Sequence, residues 1–360
     1  MGNTNSLYIQ LQSVEHQAGA LMTGTVYLNM SLPGSLTEVS IEVLGRERTT
    51  VIERVTEWVD EKPRDPKFPM SKKAVHREYP HSEERTLFNL KLPVWNFNGA
   101  FVSGQFSFPF SVALPQRIPG SAELRTKDGS AEISYSVTAT VRASLGASNL
   151  YSMQPFRVFE VPMNAPRSLK SLETQTVYTC CCFPSGSMEF ECLLANDCLN
   201  VGDVASIAAA VRNESSKSMK GIKFQLIEHV EISARGYSAN ERRVVSKSDL
   251  AADSVDSFTR NLEMMIPSVD APVHAVSCRR YYSLEIVAKM SALVSNVTCT
   301  IPINIVSGFN VVSVPVVQIP VVTGWTPQVF NTTAAPVFDA NVIQPAFIDK
   351  TKLFHVQIIG

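Results

Sequence analysis

Apolar and polar residues alternate in short runs along most of the 360-residue chain. Period-two alternation sends successive side chains to opposite faces of an extended backbone, so these runs predict half-buried β-strands. Thr25 to Met30 sets Val26, Leu28 and Met30 on one face and stops at a Pro33-Gly34 turn. Val39 to Leu44 turns Val39, Ile41 and Val43 inward, and Gly45 ends the run where the backbone needs an unusual angle or close packing. These two strands are expected to be neighbours. Leu87 to Leu92 alternates again, and Gly104 to Leu114 aligns Phe106, Phe108 and Phe110. Pro109 inside that run cannot donate to a ladder, which predicts an edge strand or a bulge. Ala131 to Ala143 is the longest run of the first half, with Ile133, Tyr135, Val137, Ala139 and Val141 inward. By contrast, residues 60–84 carry many charges and four prolines with no clear period, the pattern of an exposed, mobile loop.

The second half repeats the order of the first. A Gly202-Asp203 opening leads to a strand through Ala205 to Val211, then to Gly221 to Val230, a proline-bearing run Leu262 to Pro267, and Tyr281 to Met290. An internal duplication accounts for this. Turn signals every ~8–12 residues indicate sandwiches. The expected fold is all-β, two tandem immunoglobulin-like antiparallel β-sandwiches. The boundaries are 1–165 for the first, 166–186 for the linker and first strand of the second, 187–308 for the second, and 309–360 for an apolar, proline-dotted tail that either adds a strand or docks a partner.

Charge and composition narrow the function. The formal net charge of -1 offers no global basic field for phosphate backbones, so no nucleic-acid partner is expected. No stretch approaches the ~20 apolar residues that span a bilayer, and the first residues lack a secretory pattern, so a cytosolic protein is expected. The sequence contains no G-x-S-x-G, H-E-x-x-H or Walker A motif, and no G-x-G-x-x-G follows a strand; neither catalysis nor a cofactor is expected.

Three features have candidate chemistry. Met1-Gly2-Asn3-Thr4-Asn5-Ser6 fits the N-myristoylation pattern at Gly2, but one acyl chain anchors only marginally and needs a second signal. Cys180-Cys181-Cys182 would supply it if S-acylated; on a regular strand Cys180 and Cys182 would share one face, and structural thiols or, with Cys192 and Cys198, metal or redox chemistry remain alternatives. Arg242, Arg243, Arg279 and Arg280 are candidates for a basic face that grips phosphorylated tails or acidic lipid, or are simply solvated. His229, between Glu228 and Val230, reads as a residue near a surface strand end.

Several blocks in order, GTVYLNM (24–30), VSIEVLGRER (39–48), FSFPFSVALPQRIPGS (106–121) and ISYSVTATV (133–141), then the cysteine cluster, Gly202-Asp203, CRRYYSLEIVAKM (278–290) and Ile301-Pro302-Ile303, resemble the arrestin superfamily, specifically the α-arrestins, over residues 6–307. The resemblance implies paired curved sandwiches and a non-catalytic adaptor that brings cytoplasmic tails of membrane proteins to ubiquitin ligases and to endocytic or endosomal sorting machinery, with peripheral association to plasma membrane or endosomes. The Pro-Pro-x-Tyr motifs through which many α-arrestins recruit a ligase are missing, so any ligase recruitment is expected to be indirect. A structural coat subunit like the arrestin-fold component of retromer, and a cysteine-based redox or metal-binding protein, are the alternatives.

Overall fold

The computed structural model describes residues 5–31, 34–61, 71–101, 103–143, 148–161, 166–180, 183–251, 257–291, 294–306, 328–329 and 337–339. Among these the regular structure is all strand. The first domain contains β1 (Ser6–Leu11), β2 (Glu15–Gln17), β3 (Leu21–Met30), β4 (Gly34–Glu61), β5 (Ser71–Phe101), β6 (Gly104–Ala113), β7 (Ala122–Thr126), β8 (Gly129–Ala143) and β9 (Leu150–Phe159). One sheet runs β1-β3-β6 and the facing one β2-β9-β8-β4-β5, with β7 on β8.

The second domain follows with β10 (Leu169–Thr179), β11 (Phe183–Leu194), β12 (Cys198–Asn200), β13 (Val204–Asn213), β14 (Met219–Ala234), β15 (Tyr237–Ala251), β16 (Ser257–Met265), β17 (Val273–His274), β18 (Cys278–Met290) and β19 (Val297–Val306). Its sheets run β10-β11-β13-β16 and β12-β19-β18-β14-β15, with β17 on β18. Strand by strand this is the first domain again with β10 added, so the duplication read from the sequence is a duplication of topology.

The predicted inward faces form the cores. Val26, Leu28 and the three phenylalanines of β6 meet Val39, Ile41, Val43 and the inward residues of β8, all buried. Each fully buried large side chain contributes roughly 1.5–3 kcal/mol of transfer free energy. Two expectations need correcting. The strands holding Val26 and Val39 are not neighbours: β3 pairs with β1 and β6, whereas β4 pairs with β5 and β8 in the facing sheet. They meet through side chains instead of through a ladder. Nor does Gly45 end its strand; β4 continues to Glu61, with a bulge between Gly45 and Arg46. Its close packing is real, since a Cβ there would lie 2.7 Å from the Tyr135 ring.

The predicted loop is largely strand. Residues 71–84 belong to β5 and pair with β4 in a ribbon; residues 62–70 lie outside the described residues. Past Val51, β4 has only β5 as a partner, so the ribbon buries no common apolar face. Ion pairs take over: Arg54–Glu78 and Arg77–Glu57 at 2.9 Å, with His81–Glu53 at 3.0 Å. Pro80 fits because β5 is an edge strand.

Pro109 pairs with Thr25 in unbroken register, so no bulge forms. The outer edge of β6 carries two short parallel segments of the tail, β20 (Gln328–Val329) at Phe106 and Ser107 and β21 (Val337–Asp339) at Ser111 to Ala113, with Pro109 between them.

Candidate functional site

The two domains share a polar seam built from glutamates. Glu47 is inward-facing on β4, and its Oε1 accepts the main-chain N–H of Ser277 from the other domain at 2.7 Å. Glu83 accepts the N–H of Arg235 at 3.1 Å, Glu160 that of His274 at 3.1 Å, and Glu241, from the second domain, that of Lys127 at 2.8 Å. Each carboxylate satisfies a main-chain donor of the opposite domain, and hydrogen bonds to charged groups are the stronger kind. Around them Val230, Ile232, Ala234, Val273 and Cys278 join the first domain's core cluster, so the junction is apolar as well as polar. His81 stacks on Tyr237 with ring centroids 3.7 Å apart.

A cleft of about 490 Å³ opens at the seam, lined by residues of both domains including Arg157, Glu160, Asp270, His274 and Arg280. Its cations have acid partners. Arg280 lies 3.1 Å from Asp270 and 3.3 Å from Glu228, and donates at 2.9 Å to the carbonyl of Glu123. Arg157 lies 3.6 Å from Glu15, and His274 3.1 Å from Glu160. Burial and the Glu47 carboxylate beside it push the Cys278 thiol up.

Period-two alternation divides the four candidate arginines. Arg280 is buried in the seam, and Arg243 donates to the carbonyl of Arg125 across it at 2.6 Å while pairing with Glu241. On the opposite face Arg242 pairs with buried Glu285, and Arg279 is exposed. Three of the four are therefore engaged with carboxylates, and the set does not gather into one basic face. His229 shares the outer face: it stacks on Tyr281 at 4.7 Å, meets Ser283 Oγ at 2.8 Å, and burial lowers its pKa.

Cys180 is exposed in the turn between β10 and β11, with φ of 47°, and not on a strand as the sequence suggested. Gly2, Cys181 and Cys182 lie outside the described residues. Among the described residues no group of three or more His, Cys, Asp or Glu is placed to hold a metal ion.

Sequence reasoning missed the seam glutamates. Glu47 carried a signal, because it falls on the inward parity of Val43 and Val51. The other three stand in stretches with no such conflict, and only the docked domains reveal them.

Comparison with known proteins bears on this arrangement. The family model of the arrestin (or S-antigen) N-terminal domain matches residues 8–161, and that of the C-terminal domain matches residues 184–308. The chain is an arrestin-family protein of the α-arrestin type. Arrestin domain-containing protein A of Dictyostelium discoideum is 30% identical over 141 residues, 38% of this chain and 23% of that protein. Arrestin domain-containing protein 15 of Caenorhabditis elegans is 21% identical over 255 residues, 68% of this chain and 61% of that protein. The aligned part spans less than two thirds of either relative. The seam is thus the junction of the two arrestin domains.

Proposed function

We propose that this arrestin-family protein is a non-catalytic adaptor that holds cytoplasmic segments of membrane-protein cargo and links them to ubiquitination, endocytosis or endosomal sorting. One observation carries the reading. The outer edge of β6 takes up two segments of the chain's own tail as added strands, and β16, its counterpart, has no strand on its outer edge among the described residues. The outer edge of a terminal strand is a template to which an extended peptide adds by main-chain hydrogen bonds. Exposed Val204 and Met265, directly opposite each other in register, provide apolar contact beside it. The working place is the cytoplasmic surface of plasma membrane or endosomes, with Gly2 myristoylation and S-acylation at Cys180 to Cys182 as two membrane signals.

Proximity labelling by the full chain in its own cells tests this, run beside Arg260→Pro and Asn261→Pro. Adjacent residues of an antiparallel strand aim their N–H groups to opposite sides, so one of these prolines disturbs the ladder with β13 and the other only the outer edge. The outer-edge variant keeps the melting temperature and loses labelling of membrane proteins and sorting factors. Labelling of soluble proteins alone by the wild type, or full labelling by both variants, rejects the reading. Gly2→Ala and the triple Cys180, Cys181, Cys182→Ser variant are expected to lose membrane association.

A further inference from the structure

Inside the second domain two thiols from opposite sheets meet. Cys192 stands on the inward face of β11 and Cys299 on that of β19, and neither is exposed at all. Ser171 of β10 is the direct register partner of Cys192, and Cys299 Sγ lies 3.9 Å from the Ser171 hydroxyl. Side chains directly opposite in an antiparallel pair have Cβ atoms about 5 Å apart, so Cys299 reaches across the sandwich to the spot that Cys192 occupies. The two thiols are close enough that each shifts the other's titration. Gln175 of β10 fastens the same corner by donating to the Thr298 carbonyl at 2.8 Å.

We infer that Cys192 and Cys299 form an inter-sheet disulfide site, which closes when a peroxide oxidises the pair and opens when a thiol reduces it.

The chemistry divides between the two sulfurs. The neighbouring Cys192 lowers Cys299, favouring its thiolate, while the neighbouring Cys299 and burial raise Cys192. Cys299 thiolate attacks one peroxide oxygen and the O–O bond breaks. The other oxygen leaves as hydroxide and takes up the proton that Cys299 gave, forming water. Cys192 then attacks the sulfenic sulfur: the S–S bond forms, the S–O bond breaks, and the departing hydroxide leaves as water with the Cys192 proton. Two thiols lose two electrons and two protons, and the peroxide becomes two waters. Hydrogen peroxide is small and neutral enough to reach the pair through local opening at β10, the terminal strand of its sheet. The closed bond staples both sheets of the second domain.

The test uses the full chain in two arms. Folded protein is treated with hydrogen peroxide, alkylated, and digested without reduction. Separately, protein unfolded in denaturant is refolded in a glutathione and glutathione-disulfide buffer, where every cysteine has access to the oxidant. Both arms are expected to give one cross-linked peptide pair holding Cys192 and Cys299, lighter by about 2 Da than the two reduced peptides and lost on adding dithiothreitol. Oxidation is expected to raise the melting temperature by on the order of 5–10 °C. Cys192→Ala and Cys299→Ala each abolish the cross-link and the shift. Both cysteines alkylatable after the refolding arm, or either one paired with another cysteine, overturns the site. A cross-link on refolding but none in the folded protein overturns its closure in the native state.

Discussion

Tyr135 and Tyr282 occupy the same position in the two domains and perform the same task. Tyr135, on β8, donates its hydroxyl to the carbonyl of Pro119 at 2.6 Å, and Tyr282, on β18, donates to that of Asp270 at 2.7 Å. Both rings are buried, and burial pushes both phenols up. Each ties the chain entering the short strand β7 or β17 to the long strand beside it. Tyr135→Phe and Tyr282→Phe are each expected to cost about 1 kcal/mol, because a main-chain carbonyl loses its partner while the packing survives. Urea unfolding of the two variants checks this; an unchanged midpoint in both would mean that water replaces the hydroxyl.

The seam should respond to single substitutions. Glu47→Ala leaves the Ser277 N–H without its acceptor inside the junction, which is expected to cost about 2 kcal/mol. Arg280→Met removes a buried cation and leaves Glu228 with Arg243 at 3.6 Å as its remaining ion pair, for a loss of about 3 kcal/mol. Differential hydrogen exchange at Ser277 and Arg235 reports whether the junction opens before the sandwiches do.

Acidification should weaken the fold in two steps. Burial holds His16 and His229 below the ordinary imidazole value of 6.5, so the unfolded chain takes up protons first as pH falls through 6.5; their contribution is full above that value and declines towards the depressed folded values. Glu83 is held below the ordinary 4.5 chiefly by the Arg235 main-chain N–H, and Glu241 chiefly by Arg243. Their contribution is present above 4.5 and lost as pH falls through their lowered folded values. Melting temperature followed from pH 8 to 3 is expected to show both steps, and His16→Gln to shrink the first while sparing the second.

Gly45→Ala tests close packing without backbone strain. The new methyl would lie 2.7 Å from the Tyr135 ring and 3.0 Å from that of Phe88, so overpacking of about 1–3 kcal/mol is expected. Gly202→Ala meets nothing within 4 Å but sits at φ +91°, where the left-handed backbone alone resists a side chain. Thermal melts of the pair separate crowding from conformation.

What the sequence by itself determined was local. Alternation assigned the buried faces of β3, β4, β6 and β8 residue by residue and marked β13 and β18 as strands, because a strand's side-chain period depends only on its own backbone. The repeated order of those strands disclosed the duplication, and the blocks at 24–30, 106–121 and 278–290 disclosed the family. Tertiary structure decided which strands pair, since registers such as Leu28 with Phe106 join residues far apart in the chain and no local pattern encodes the choice. It also decided that residues 71–84 form a ribbon, whose cross-strand ion pairs leave no hydrophobic period to detect. The seam belongs to the same class. Arg243 and Arg280 look like surface cations in sequence, and only the docking of the two sandwiches, which buries Arg280 and brings Arg243 to the Arg125 carbonyl, turns them and four glutamates into an interface.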